Sequence, residues 1–209
     1  IKHAQRLDRV LYQTWHSQWN PAVDRAKAIM AEQGVARLRI DWRESVRKWH
    51  PGQDWVWEPG GFGVCDPGIN AFSILTKIMP FPVFIESARL TFPVNRQTPV
   101  DVEIGFKTGQ AHQPDLSAGF NWLEESGEIW TIEVTTTTGD VLKLEGGGRR
   151  LLVNDQKVIE HGDGEYAAMY QHFAGLLDRH ESDVDAAPLR LMSDVFLMGA
   201  RENGPAFEW

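Results

Sequence analysis

The sequence predicts an α+β domain built on one large, predominantly antiparallel sheet with helices covering one of its faces. Three observations carry this reading. From Phe81 onward the chain is a succession of alternating or β-branched runs separated by turn residues. Segments with helical apolar spacing lie before and after that succession. The turns between the runs are short, which suits a meander rather than the crossovers of a parallel sheet, and such a sheet needs one face covered.

Taken in order, residues 1–6 read as the tail of a helix, and Arg9–His16 (RVLYQTWH) as a buried strand followed by a turn at 17–21. Ala22–Gln33 places Val23, Ala26, Ile29 and Met30 at helical spacing and stops at Gly34, a residue suited to the position after a helix. Val35–Val46 alternates as a strand. A Trp-rich loop follows, and then a helix for which Asp66 is the expected N-cap and Pro67 the first helical residue.

The predicted strands are Val83–Phe92, Val100–Lys107, Ser117–Glu125, Glu128–Thr137, Asp140–Glu145 and Arg149–Val153. Ser126-Gly127 and Gly139-Asp140 look like hairpin connections. Glu165–Arg179 is an amphipathic helix expected to cover the sheet, and Leu189–Arg201 a last helix.

Composition narrows the function. A net charge of -8 argues against nucleic acid or an anionic membrane as the main partner. No apolar run approaches the ~20 residues that span a bilayer, and no signal peptide pattern is present. The single cysteine, Cys65, excludes an internal disulfide and fits a reducing compartment, so a cytoplasmic protein is expected. Nine tryptophans are an unusual number for 209 residues. Indoles build cores and interfaces, and they also supply flat apolar faces to a ligand.

The stretch Trp49–Asn70 concentrates the chemistry: three tryptophans, His50, and Asp66-Pro67-Gly68-Ile69-Asn70. On a helix, Asp66 and Asn70 project from one face, an acid beside a carboxamide. Asp66 can accept a proton from a substrate hydroxyl, or simply cap its helix. His16, His50 and Glu44 add polar groups close to tryptophans, at spacings that match no zinc or iron pattern. Such a set suits a neutral polyhydroxylated ligand better than a metal. The glycines at 60, 61, 63 and 146–148 form neither a GxGxxG unit nor a P-loop. Ser73 and Ser117 lack a nucleophile-elbow setting. Cys65, beside Asp66, is expected to be inert.

Thr14-Trp15-His16-Ser17, Trp49-His50-Pro51-Gly52, Glu58-Pro59-Gly60-Gly61-Phe62-Gly63 and Asp66-Pro67-Gly68-Ile69-Asn70 together resemble the galactose and L-arabinose 1-dehydrogenase branch of the GFO/IDH/MocA oxidoreductases. The resemblance implies an NAD or NADP enzyme that oxidises C1 of a cyclic monosaccharide to a lactone. It implies catalytic roles for Asp66 and Asn70, with His16, Glu44, Trp49, His50 and Trp130 lining the sugar, and a homodimer formed through the open sheet face.

It also implies that residues 1–16 are the end of a Rossmann domain otherwise missing from the chain. Residues 17–209 are then the substrate and dimerisation domain, its last helix packing back on that missing part. The family's GxGxxG and Glu-Lys-Pro segments are absent, so the chain alone is expected to be inactive. A regulatory or sugar-binding module of the same fold, without catalysis, is the alternative, and an interaction domain with purely structural tryptophans a third.

Overall fold

The computed structural model describes residues 1–160 and 164–209. Its strands, in chain order, are β1 (Arg37–Arg43), β2 (Val83–Pro93), β3 (Asp101–Thr108), β4 (Asp115–Asn121), β5 (Ile129–Thr135), β6 (Val141–Glu145), β7 (Arg150–Val153), β8 (Gln156–Glu160) and β9 (Ala200–Gly204). They form one nine-stranded sheet in the order β8-β7-β6-β5-β1-β4-β3-β2-β9. β1 runs parallel to β4 and β2 parallel to β9, while every other pairing is antiparallel. The expected α+β class with a mainly antiparallel sheet is therefore the observed one.

The helices are α1 (Lys2–Arg6), α2 (Pro21–Gln33), α3 (Val46–Trp49), α4 (Cys65–Ile78), α5 (Glu165–Arg179) and α6 (Ala187–Met198). On β1, Leu38, Ile40 and Trp42 are buried while the residues between them are not. That alternation turns one face of the sheet toward α2 and α4. Buried Val23, Ala26 and Met30 of α2, and Phe72, Ile74, Leu75 and Ile78 of α4, complete the core. The other face carries Arg39, whose guanidinium meets Asp41 at 3.1 Å and Glu103 at 3.1 Å, and Arg43, 3.1 Å from Asp41. Gly119 leaves room there, since a Cβ would lie 2.4 Å from the Arg39 guanidinium.

Several expectations are corrected. Arg9–His16 is not a strand of the sheet. It runs as extended chain against the link before α6, with Gln13 N donating to Asp183 O at 2.9 Å and Asp183 N to Leu11 O at 3.0 Å. Those bonds pair part of its backbone without a sheet edge.

The Ser126-Gly127 turn is not a hairpin, because β1 lies between β4 and β5. Leu38 faces Leu116 on one side and Val134 on the other. Gly139, at φ 96, does close the β5–β6 hairpin. The helix α5 covers the 3-10 turn His16–Trp19 rather than the sheet.

Two strands were not anticipated. β8 follows Asn154-Asp155, both left-handed at φ 50 and 62, the pattern of a tight type I′ turn. β9 takes the end of the expected last helix. The helix α6 stops at Met198, where Gly199 turns extended (φ -73, ψ 139) and packs against Leu90 so closely that a Cβ would lie 2.1 Å from Cδ1. Nor does Asp66 cap α4. Val64 holds that place, and Asp66 lies in the first turn with no capping hydrogen bond. Its charge there still complements the helix dipole.

Candidate functional site

The sheet's central strand supplies the floor. Trp42 of β1 stands in register with Trp130 of β5, their rings 6.0 Å apart and 23° from parallel. One residue past β1, Glu44 is only 5% exposed. Trp130 Nε1 donates to Glu44 Oε2 at 2.9 Å, and Trp122 Nε1 donates to Oε1 at 3.3 Å. Burial pushes the Glu44 carboxyl up to about 7, against the pull of the two indole hydrogen bonds and with help from the charges of Asp66 and Glu128. Trp49, at the end of α3, adds a half-exposed ring 5.7 Å from Trp130.

Other elements close the walls. The first turns of α4 contribute Asn70. The 3-10 turn contributes His16 and Ser17, and Asn20 is tied beneath it by a 2.8 Å bond from Nδ2 to Gly147 O. The glycines 146–148, all with positive φ, make the β6–β7 turn that brings Gly146, Gly147 and Arg149 to the rim. A Cβ on Gly148 would come within 2.9 Å of Val23, so the tight turn depends on glycine there.

The start of α5 adds Glu165 and Tyr166. His16 Nδ1 lies 3.2 Å from Glu165 Oε1, and the imidazole stacks on Tyr166 at 5.2 Å and 6°. The cavity, half open to solvent, has a volume of about 260 Å³, below the roughly 300–1,000 Å³ usual for drug-sized ligands.

Of the residues singled out in the sequence, His16, Glu44, Trp49, Asn70 and Trp130 meet at this cavity. His50 and Asp66 are not among its lining residues. They stand together outside that lining, with His50 Nε2 3.7 Å from Asp66 Oδ2 and the imidazole 5.3 Å from the Trp122 ring. Asp66 is one helical turn before Asn70, on the same side of α4. Partial burial raises its carboxyl above the ordinary value, and His50 opposes the rise.

Sequence reasoning did not single out Trp42, Ser17, Asn20, Arg149, Glu165 or Tyr166 as site residues. The glycine triplet beside Arg149 was the one local signal of a special turn. Ser73 is buried and donates to Asn70 O at 2.7 Å, so it is no nucleophile. Among the described residues no group of three or more His, Cys, Asp or Glu side chains could hold a metal ion, and no helix is long and apolar enough to cross a membrane.

A mixed sheet with helices on one face and an indole-walled polar cavity at its centre defines the class. The fold is of the GFO/IDH/MocA type. No protein-family profile matches the chain. A galactose 1-dehydrogenase from Pseudomonas fluorescens is 42% identical over 187 residues, covering 90% of this chain and 60% of that protein. The crystal structure of D-galactose-1-dehydrogenase from Rhizobium etli matches with a TM-score of 0.92 at 40% identity, over 98% of this chain and 65% of that one.

The 3-ketoreductase KijD10 from Actinomadura kijaniata, in complex with TDP-benzene and NADP, matches with a TM-score of 0.75 over 97% of this chain and 65% of that one. At 13% identity it shares the fold alone. The chain is thus a homologue of the galactose 1-dehydrogenases, and it spans less than two thirds of the length of these relatives.

Proposed function

We propose that this chain is the sugar-binding part of an NAD(P)-dependent aldose 1-dehydrogenase, which oxidises C1 of a cyclic aldose of the galactose, L-arabinose or fucose type to a lactone. The observation that carries the reading is Glu44, held between two indole N–H groups at a cavity whose walls are Trp42, Trp49 and Trp130. Indoles present flat faces to the C–H side of a sugar ring. Glu44, His16 and Asn70 present hydrogen-bonding groups to its hydroxyls. The likeness to galactose 1-dehydrogenases supports the choice of substrate.

Asn70 orients the C1 hydroxyl, and Asp66, one turn earlier on α4, takes its proton. The raised Asp66 carboxyl suits a proton acceptor better than an ordinary one would. His50, 3.7 Å away, steadies the charge. The nicotinamide supplies the hydride acceptor in such chemistry. The described residues do not fit it, since neither glycine cluster joins a strand to a helix as a pyrophosphate cradle does. We assign its site to a dinucleotide-binding segment other than residues 1–209.

The charged outer face of the sheet, flattened at Gly105 and Gly119, is the surface we assign to a homodimer. The single buried Cys65 fits a cytoplasmic location.

Calorimetric titration with galactose, L-arabinose and fucose tests the binding half, and no saturable binding from any aldose rejects it. Asp66→Ala tests the chemistry in the enzyme complete with its nicotinamide segment. Turnover is expected to fall far more than sugar affinity, and wild-type turnover removes Asp66 from the reaction.

A further inference from the structure

Resting on the aldose reading above, we infer that Glu165 is a positioning residue: it holds His16 in the Nδ1–H tautomer, so that Nε2 faces the cavity as a hydrogen-bond acceptor for a sugar hydroxyl. The two residues are 149 positions apart, and the packing of α5 on the 3-10 turn brings them together. The Glu165 side chain is 8% exposed and that of His16 33%. A carboxylate only accepts hydrogen bonds, so the nitrogen facing it must carry the proton. The neutral ring then has its lone pair on the opposite nitrogen.

Tyr166, the next residue along α5, stacks flat on the imidazole at 5.2 Å and 6° and covers one face of the ring. Carboxylate and phenol together thus fix both the protonation pattern and the orientation of a group in the cavity wall. A bare ion pair would need only the carboxylate. The partner of His16 on this side is Glu165, and the other cavity carboxylate, Glu44, is engaged by Trp122 and Trp130.

The test is the ¹⁵N spectrum of His16 in the labelled chain, assigned with His16→Gln and recorded where the ring is neutral, beside the affinity for galactose. The native chain is expected to show the Nδ1–H pattern. In Glu165→Gln the amide can donate to Nδ1, so the pattern should move toward Nε2–H and the affinity fall about tenfold. Glu165→Asp, with a shorter arm, should retain part of both. If Glu165→Gln does not fold, the comparison is made on Glu165→Asp, where tautomer and affinity must decline together.

An unchanged His16 pattern in the variants overturns the inference, as does a changed pattern with unchanged affinity. A native chain that binds no aldose yet shows the Glu165-dependent pattern sinks the sugar reading and the acceptor role of Nε2 with it. The same chain without that pattern sinks the pairing itself.

Discussion

Trp130 Nε1 donates to Glu44 Oε2 at 2.9 Å, joining residues 86 positions apart across the middle of the sheet. With Trp122 on the other oxygen, this places a carboxyl in a nearly dry position where it titrates at about 7 rather than at its ordinary 4.5. The folded chain therefore keeps this proton over a range in which the unfolded chain has released it. Rising pH between 4.5 and about 7 should lower stability, by about 3 kcal/mol from this group in all. The loss is absent below that window and complete above it. Denaturant unfolding at several pH values is expected to show this slope, and Glu44→Gln to flatten it.

Trp49→Ala should separate binding from stability. Its ring is 45% exposed and leans on Trp130 at the cavity wall, so little core is lost with it. Stability is expected to change by less than about 1 kcal/mol, while the aldose affinity falls about tenfold or more. Calorimetry and thermal unfolding on the same preparation check both.

Gly68→Ala should destabilise although it improves helix propensity by ~1 kcal/mol. A Cβ at Gly68 would lie 2.6 Å from Phe120 Cδ2, and that ring is fully buried and cannot retreat. A net loss on the order of 1–3 kcal/mol is expected in denaturant unfolding. Gly109→Ala, where a Cβ meets nothing within 4 Å, is the control and should be close to neutral.

Cys65 should resist thiol reagents in the folded chain. It is 1% exposed, and burial, with Asp66 adding to it, pushes its thiol well above the ordinary range. A chromogenic disulfide reagent is expected to react only once denaturant is added. Rapid reaction of the native protein would contradict the packing of the α4 start.

Much of the fold was legible because its signal is local. The strands β2 to β7 alternate within themselves, and α5 repeats its apolar residues at helical spacing, so their existence needed no knowledge of partners. The place of β1 was not legible. Its neighbours are chosen by matching Leu38 and Trp42 against residues far along the chain, and adjacency in sequence suggested a β4–β5 hairpin instead. β8 is largely exposed and carries no apolar alternation, although Asn154-Asp155 announces its turn.

The site divides in the same way. Motif blocks contained His16, Trp49 and Asn70, and the family resemblance added Glu44 and Trp130; all five meet at the cavity. The same blocks pointed equally to Asp66 and His50, which pair with each other outside its lining, because sequence spacing gives the side of a helix but not which residues share a cavity. Glu165 was invisible as a site residue, since nothing near it in sequence marks its pairing with His16.

The position of β1 between β4 and β5 also bears on how the chain acquires its shape. A nascent chain delivers Trp42 and Glu44 early, yet both strands that flank β1 emerge much later. Until then the segment has no backbone partner on either side, and closing those long loops carries an entropic cost before any pairing rewards it. The centre of the sheet is therefore zipped late, with α5 packing on the 3-10 turn afterwards. A ribosome-stalled fragment ending before β5 would hold every helix up to α4 and still lack the cavity.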